Sequence, residues 1–292
     1  MRSEVLIDCF ADTLAMTTTE EIRRDLALSI QSNRVYPEGF IALSAPFRSS
    51  APSVHFVDLT TLKAAKLFAE SGKVAVLNFA NPFTPGGGVT RGAVAQEESL
   101  CRSSTLYPCL MAENVQNEYY IYHRKRGGSR FSDRLIYTEN VLVFKDDQEL
   151  PQQLDKADWF HVDIITCAAP YSGGSQKFSD TELGQIFRGR IKNIFEAAVD
   201  HQVDVLILGA FGCGAFGNPP ELVACAFRDV LSLGEYAAKI PVLVFAFKKP
   251  RIGKSKNAEV FKANLDGCAA FSITYADAVS ATGFELQGKT NG

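Results

Sequence analysis

KVAVLNFANPFTPGGGVTRGAVAQEESLCRSS, residues 73–104, joins a structural signal to a chemical one. Its opening run, Lys73–Phe79, is apolar and has the length of a buried strand. Three consecutive glycines, Gly86, Gly87 and Gly88, follow. Lacking Cβ atoms, they let a ligand approach the backbone and let several N–H groups converge on an anion. Seven residues further along come Gln96, Glu97 and Glu98, at what reads as the first turn of a helix running to about Leu110. Acids are favourable at a helix start, so structure alone could place them there. Beside a loop suited to an anion, however, two carboxylates would repel the ligand. Glycosidic chemistry, in which a carboxyl protonates the leaving oxygen, gives them a purpose.

Outward from this stretch the same texture repeats. His55–Asp58, Leu135–Phe144, Val162–Cys167, Val203–Leu208 and Pro241–Phe247 read as strands. Thr60–Ser71 reads as an amphipathic helix stopped by Gly72. Asp180 is the expected cap of a long helix whose Leu183, Ile186, Phe187, Ile191, Ile194, Phe195 and Ala198 share one face. Asn218, Pro219 and Pro220 signal another helix start. Apolar strands separated by amphipathic helices predict a sheet covered on both faces, an α/β fold from about Val54 to Phe247. Ahead of it, Thr18 and Glu21 form a capping-box pattern before Ile22, Leu26, Leu28 and Ile30, predicting a helix of about four turns. Ser32–Pro52 is polar and contains prolines; 248–257, KKPRIGKSKN, reads as a solvated connection and the ending GKTNG as frayed.

A second glycine-rich loop, GAFGCGAFGNPP at 209–220, joins a strand to a helix start, where backbone N–H groups and the helix dipole hold phosphate. Two such loops after strands of one sheet would share an edge, with a diphosphate between them. Gly212, Gly214 and Gly217 also spell the dinucleotide fingerprint G-x-G-x-x-G. That reading needs an acidic residue at the end of the next strand, where this chain has Phe247, Lys248 and Lys249. Gly253-Lys254-Ser255 resembles the end of a phosphate-binding P-loop, but Lys248 replaces that motif's first glycine. Neither pattern is retained.

The 292 residues carry 30 Lys and Arg against 33 Asp and Glu, a formal net charge of −3, which counts against a broad basic surface for nucleic acid. No run approaches the length of a membrane span, and Glu4 and Asp8 fall where a secretion signal would be apolar, so an intracellular protein is expected. Seven dispersed cysteines without a CxxC pair, and four dispersed histidines, predict buried thiols in a reducing compartment and no metal site.

GGG-x7-QEE, in its surroundings VLNFANPFTPGGG (76–88), AQEESLCRSSTLYPCL (95–110), IYTENVLVFKDD (136–147), VDIITCAAP (162–170) and LGAFGCGAFGNPP (208–220), resembles the catalytic signature of the poly(ADP-ribose) glycohydrolases of the bacterial, microbial type. The branch more often has a small residue at 81 and Asn near 84, where this chain has Asn81 and Thr84. The resemblance implies a macrodomain-like three-layer α/β/α fold with a mixed, largely parallel sheet. It would form a single domain over 1–292, with an N-terminal helical extension (1–52), a core (53–250) and a C-terminal helix and tail (251–292). It implies that Glu98 is general acid and then general base, and that Glu97 holds hydroxyls of the distal ribose. Gly86, Gly87 and Gly88 with Gly212, Cys213, Gly214 and Ala215 would cradle the diphosphate, Phe216 would pack on the sugar, and Gln96 and Asn81 would line the ribose pocket. A proton donor at neutral pH needs raised affinity for its proton, which Glu97 beside a phosphate would give Glu98. The implied substrate is poly(ADP-ribose) on modified proteins, cut from chain ends to ADP-ribose, a reversal of ADP-ribosylation of the kind used in DNA-damage responses. No cofactor, membrane or direct nucleic-acid partner is implied, and the setting is cytoplasmic, or nuclear in a eukaryote. Two other functions fit parts of the pattern: a macrodomain that only binds ADP-ribose, which has no use for the QEE triplet, and a hydrolase acting on ADP-ribose attached to another acceptor.

Overall fold

Along the chain, helices α1 (Arg2–Thr17) and α2 (Glu20–Ser32) precede strands β1 (Arg34–Tyr36) and β2 (Ser53–Val57), helix α3 (Thr61–Leu67) and strand β3 (Val74–Phe79). Helices α4 (Gln96–Ser103), α5 (Leu106–Leu110), α6 (Glu113–Val115) and α7 (Tyr122–Arg126) then lead to β4 (Leu135–Val143) and β5 (Phe160–Cys167). Helix α8 (Asp180–Asp200), β6 (Val205–Leu208), α9 (Pro220–Leu231), β7 (Val242–Ala246), α10 (Lys256–Leu265) and β8 (Ser272–Ala276) follow. The structure is a computed structural model and describes residues 2–42, 53–175, 177–233, 236, 239–250, 253–266 and 272–276. Residues 43–52 of the polar stretch, Arg251 and Ile252 of the basic run, Cys268 and the GKTNG ending lie outside the described residues.

Among the described residues one eight-stranded sheet has the order β1-β4-β5-β3-β6-β7-β2-β8. From β5 to β8 neighbouring strands are parallel, whereas β4 is antiparallel to both β5 and β1. Side chains alternate between two cores. Ala75, Leu77, Leu206, Leu208, Leu243 and Phe245 meet α8, α9 and α10 on one face. Val74, Val76, Val205, Ile207, Val242 and Val244 meet α3, α4, α5 and Phe10 of α1 on the other. Each fully buried aliphatic or aromatic side chain contributes about 1.5–3 kcal/mol, so strands apolar on both faces require helices on both. The three-layer α/β fold is as expected, and the parallel pairing of β3 with β6 puts their C-terminal loops at one edge.

Several boundaries differ from the sequence reading. Helix α1 falls within the expected N-terminal helical extension but has no sequence pattern of its own to mark it, and Thr18 belongs to its end, donating to Ala15 O; α2 instead starts after Thr19, without a side-chain cap. Leu28, expected on the buried face of α2, is 55% exposed because Ile22 and Ser29 set the buried stripe. The polar stretch hides β1, whose partner β4 lies far along the chain. Ser179, not Asp180, caps α8, accepting from the Glu182 N–H. The helix expected to reach Leu110 breaks at Ser104, which is extended and bridges to Val143, while the neighbouring Thr105 N–H donates to Leu142 O. After the basic run, the C-terminal part adds the strand β8 to its helix α10.

Candidate active site

The loops after β3 and β6 open onto a cavity of about 690 Å³. Of the anticipated residues, Asn81, Gly87, Gln96, Glu97, Glu98, Gly212, Gly214, Ala215 and Phe216 line it. Gly86, Gly88 and Cys213 are not among its lining residues. Gly86 lies against Tyr107, Val89 and Cys101, where a Cβ would come within 2.8 Å of the tyrosine ring. The Cys213 N–H closes the loop by donating to Ala210 O, and its thiol donates to Phe211 O. Lys248, Ser255 and Asn257 also line the cavity, so the expected solvated connection is partly a wall of the site.

Helix α4 is docked on β3 by a side chain that imitates a strand. Gln96 Oε1 accepts from the Phe79 N–H at 2.9 Å while its Nε2 donates to Leu77 O at 2.7 Å. The expected ribose-pocket residue therefore spends both ends of its amide on the scaffold. Asn81 is similarly engaged: its Oδ1 accepts from the Phe83 and Thr84 N–H groups, both at 2.9 Å, building an Asx turn. The Asn81 N–H donates to Glu97 Oε2 at 2.7 Å. These contacts set the first turn of α4 at the end of the sheet, where the helix dipole favours its acids.

Both acids are buried, Glu97 at 3% and Glu98 at 7% exposure. Glu97 Oε1 also accepts from Asn78 Nδ2 at 3.4 Å. Burial nevertheless dominates, and with the nearby Glu98 charge pushing the same way it raises the Glu97 carboxyl to about 8, against the pull of these donors. Glu97 is thus mainly protonated at neutral pH. Glu98 is held by one oxygen: Oε1 accepts the Gly88 N–H at 2.8 Å, whereas Oε2 is buried with no hydrogen-bond partner. An unsatisfied buried carboxylate oxygen costs about 1–3 kcal/mol, a cost that fits an oxygen reserved for a substrate.

The glycine triplet makes room for this pair. Gly87 has φ +59°, and a Cβ there would stand 2.5 Å from Glu98 Oε1 and 3.1 Å from Glu97 Oε2. Its N–H donates to Thr84 O. The triplet's N–H groups at Gly87 and Gly88 are therefore used inside the protein, one on the loop and one on the acid, rather than both being turned to an anion.

The second loop is more open. The Cys213 N–H to Ala210 O bond and the Gly217 N–H to Gly214 O bond bracket Gly214, Ala215 and Phe216, all on the cavity wall. A Cβ on Gly214 would meet nothing within 4 Å. Asn218 fixes the loop by donating to Pro170 O and Gly212 O. Phe216 packs against Tyr171 and Phe131, with ring centroids 5.7 and 6.2 Å away, and Phe131 meets Phe83 at 5.3 Å. Sequence reasoning missed Phe131, which has φ +57°; a positive φ at a bulky non-glycine residue is visible only in the backbone. It also missed Arg102, Asp147, Thr60 and Thr61 on the cavity wall.

Among the described residues no group of three His, Cys, Asp or Glu side chains could hold a metal ion, and no helix is long and apolar enough to cross a membrane. The four histidines are engaged elsewhere; His123, for example, lies between Tyr119 O and Ser132 Oγ.

The family described as microbial-type PARG, catalytic domain, matches residues 7–146. The chain is similar to the poly(ADP-ribose) glycohydrolase of Thermomonospora curvata, with 31% identity, a TM-score of 0.77, and 89% of this chain and 98% of that one covered. The same enzyme bound to the inhibitor ADP-HPD matches with 31% identity and a TM-score of 0.76, over 88% and 98%. A poly(ADP-ribose) glycohydrolase from Deinococcus radiodurans in complex with ADP-ribose matches with 30% identity and a TM-score of 0.71, over 82% and 96%. No curated protein sequence gives a significant match.

Proposed function

Because the chain belongs to the poly(ADP-ribose) glycohydrolase family, we propose that it hydrolyses the ribose–ribose O-glycosidic bonds of poly(ADP-ribose) on modified proteins, working from chain ends and releasing ADP-ribose. The observation that carries the assignment of roles is the Glu98 carboxyl, pinned through Oε1 by the Gly88 N–H while Oε2 is buried, unpartnered and beside the cavity.

In the reaction Glu98 gives its proton to the 2′-oxygen of the leaving unit. The C1″–O bond breaks with its electron pair passing to that oxygen, and the ribose becomes oxocarbenium-like. Water then attacks C1″ and returns a proton to the Glu98 carboxylate, so one residue serves as acid and base. Glu97, carried as a neutral acid, can both donate to and accept from ribose hydroxyls. Its neutrality leaves at most one negative charge on the pair beside the substrate's own diphosphate. The open loop Gly212–Ala215 takes the diphosphate, and Phe216 supports the sugar. A cavity of about 690 Å³ is of the size that encloses one nucleotide-like unit, which supports capture of a terminal unit. Dispersed free thiols support action in the reducing cytoplasm.

The test is Glu98→Gln, with products from polymer of defined length separated over time and ADP-ribose binding measured by calorimetry. The expected result is loss of release by roughly a thousandfold or more, the upper end of general acid–base contributions, with binding retained. Wild-type protein should give monomeric ADP-ribose from the first time points. Early oligomers would overturn end-cutting, and wild-type binding without cleavage would make the protein a reader. Loss of binding together with activity in Glu98→Gln would remove the support for proton donation.

A further inference from the structure

Arg102 is an unusual residue to bury. It is 2% exposed and lies one helical turn beyond Glu98 on α4, yet its hydrogen bond goes elsewhere. Its Nη1 instead donates to Ala93 O at 2.8 Å. The Ala93 N–H donates to Gly88 O at 3.1 Å, and the Gly88 N–H donates to Glu98 Oε1 at 2.8 Å. Since Arg102 and Glu98 share one helix, these three bonds close a ring. Contact reinforces it: a Cβ on Gly88 would lie 2.7 Å from the Ala93 Cβ, so the two residues are already pressed together.

We infer that Arg102 is a positioning residue for the hydrolysis, fixing the Gly88 N–H that orients the Glu98 carboxyl through its hold on the Ala93 carbonyl. The inference rests on the assignment of Glu98 as the proton donor. A buried arginine is costly, and with Nε buried and unpartnered the bond from Nη1 to Ala93 O is what the burial of Arg102 secures. A shift of a reacting group by about 1 Å can cost roughly a hundredfold in rate. The backbone carbonyl of Arg102 is itself anchored from outside the ring, accepting from Thr13 Oγ1 of α1 at 2.6 Å. The ring therefore transmits the position of α1 and α4 to the carboxyl. The groups electrostatically coupled to Arg102 are Glu98 and Cys101 of its own helix and Cys9 of α1. Cys9 in turn lies in the field of Lys145, Asp12 and Asp146. Lys145 is engaged by Asp12 Oδ2, Cys9 O and Thr13 Oγ1, to all of which it donates, and Arg91 approaches from the loop, its Nη2 3.9 Å from where a Cβ on Gly88 would stand.

The test compares Arg102→Met and Arg102→Lys with wild type by kcat and KM on polymer and by calorimetric binding of ADP-ribose. Expected for Arg102→Met is a fall in kcat of roughly 10- to 100-fold with KM within about threefold. Arg102→Lys keeps a charge but not the Nη1 that reaches the Ala93 carbonyl, and should lose kcat with KM again nearly unchanged. In a Glu98→Gln background, Arg102→Met should cost no further rate, as expected of a residue acting through Glu98. An unchanged kcat in both variants, or a KM that rises as much as kcat falls, overturns the proposal. If Arg102→Met fails to fold, Arg102→Lys carries the same test alone. Activity surviving in Glu98→Gln would instead refute the acid assignment, whereas an inactive Glu98→Gln beside fully active Arg102 variants would refute only this inference.

Discussion

Glu97→Gln should make the protein more stable, and increasingly so as pH rises. In the folded protein burial raises the Glu97 carboxyl from 4.5 to about 8. Between those values the folded state holds a proton that the unfolded chain releases, so stability falls with rising pH throughout the window. The contribution is fully present below pH 4.5 and has been lost above pH 8. At pH 7 the accumulated loss is roughly 3 kcal/mol, and at pH 9 roughly 5 kcal/mol, taking about 1.4 kcal/mol per unit. Glutamine keeps an oxygen to accept the Asn81 N–H. Its amide nitrogen takes the place of Oε1, which accepts from Asn78 Nδ2, so the Asn78 amide must turn over to present its buried, unpartnered Oδ1 as acceptor. Urea unfolding of both proteins from pH 5 to pH 9 isolates the effect, because titrating groups not coupled to Glu97 cancel in the difference. The gap between the curves should widen in favour of Glu97→Gln by on the order of 3 kcal/mol from pH 5 to 8. Parallel curves would show that Glu97 is already ionised in the folded protein and would refute its assignment as a neutral acid.

Gly87→Ala should lower kcat by roughly a hundredfold, since its Cβ would stand 2.5 Å from Glu98 Oε1. The φ of +59° adds about 1–2 kcal/mol of strain, readable as a lower unfolding midpoint; a kcat within threefold of wild type would show the acid can move without loss. Arg190→Met should cost roughly 3–5 kcal/mol in urea unfolding. The fully buried Arg190 pairs with Asp133 at 3.3 Å and donates to Ala168 O and Arg130 O, tying the segment that carries Phe131 to the end of β5. The loss should shrink at low pH, where an abandoned Asp133 takes up a proton; a loss independent of pH would contradict that account.

The strands flanking the site could be read because each is short, apolar on both faces and followed by glycine or proline, which is a local property. Ser104 and β1 could not. Both owe their conformation to β4, and nothing near them in sequence announces an extended residue or a strand. The acids were legible as a pair, but their division of labour was not. That division depends on which oxygen receives the Asn81 N–H, which receives the Gly88 N–H, and which is left over. The glycines show the same limit. Three in a row reveal that the backbone must come close to something, and the natural expectation is an anion. In the folded protein the close approach of Gly87 is to the two carboxyls.

What the sequence alone determined is the order of elements and the chemical inventory: alternating apolar strands and helices, two glycine-rich loops, and a carboxylate pair at a helix start. These follow from side-chain periodicity and from residue types confined to special backbone conformations, both of which act over a few neighbours. Tertiary structure decided how that inventory is used. Pairing β3 with β6 brought loops more than a hundred residues apart to one cavity. Burial beside β3 lifted Glu97 toward neutrality, and the loop from Gly88 to Ala93 closed the ring from Arg102 to Glu98. Desolvation and hydrogen-bond assignment depend on what surrounds a group in space, and that is settled only when distant segments meet.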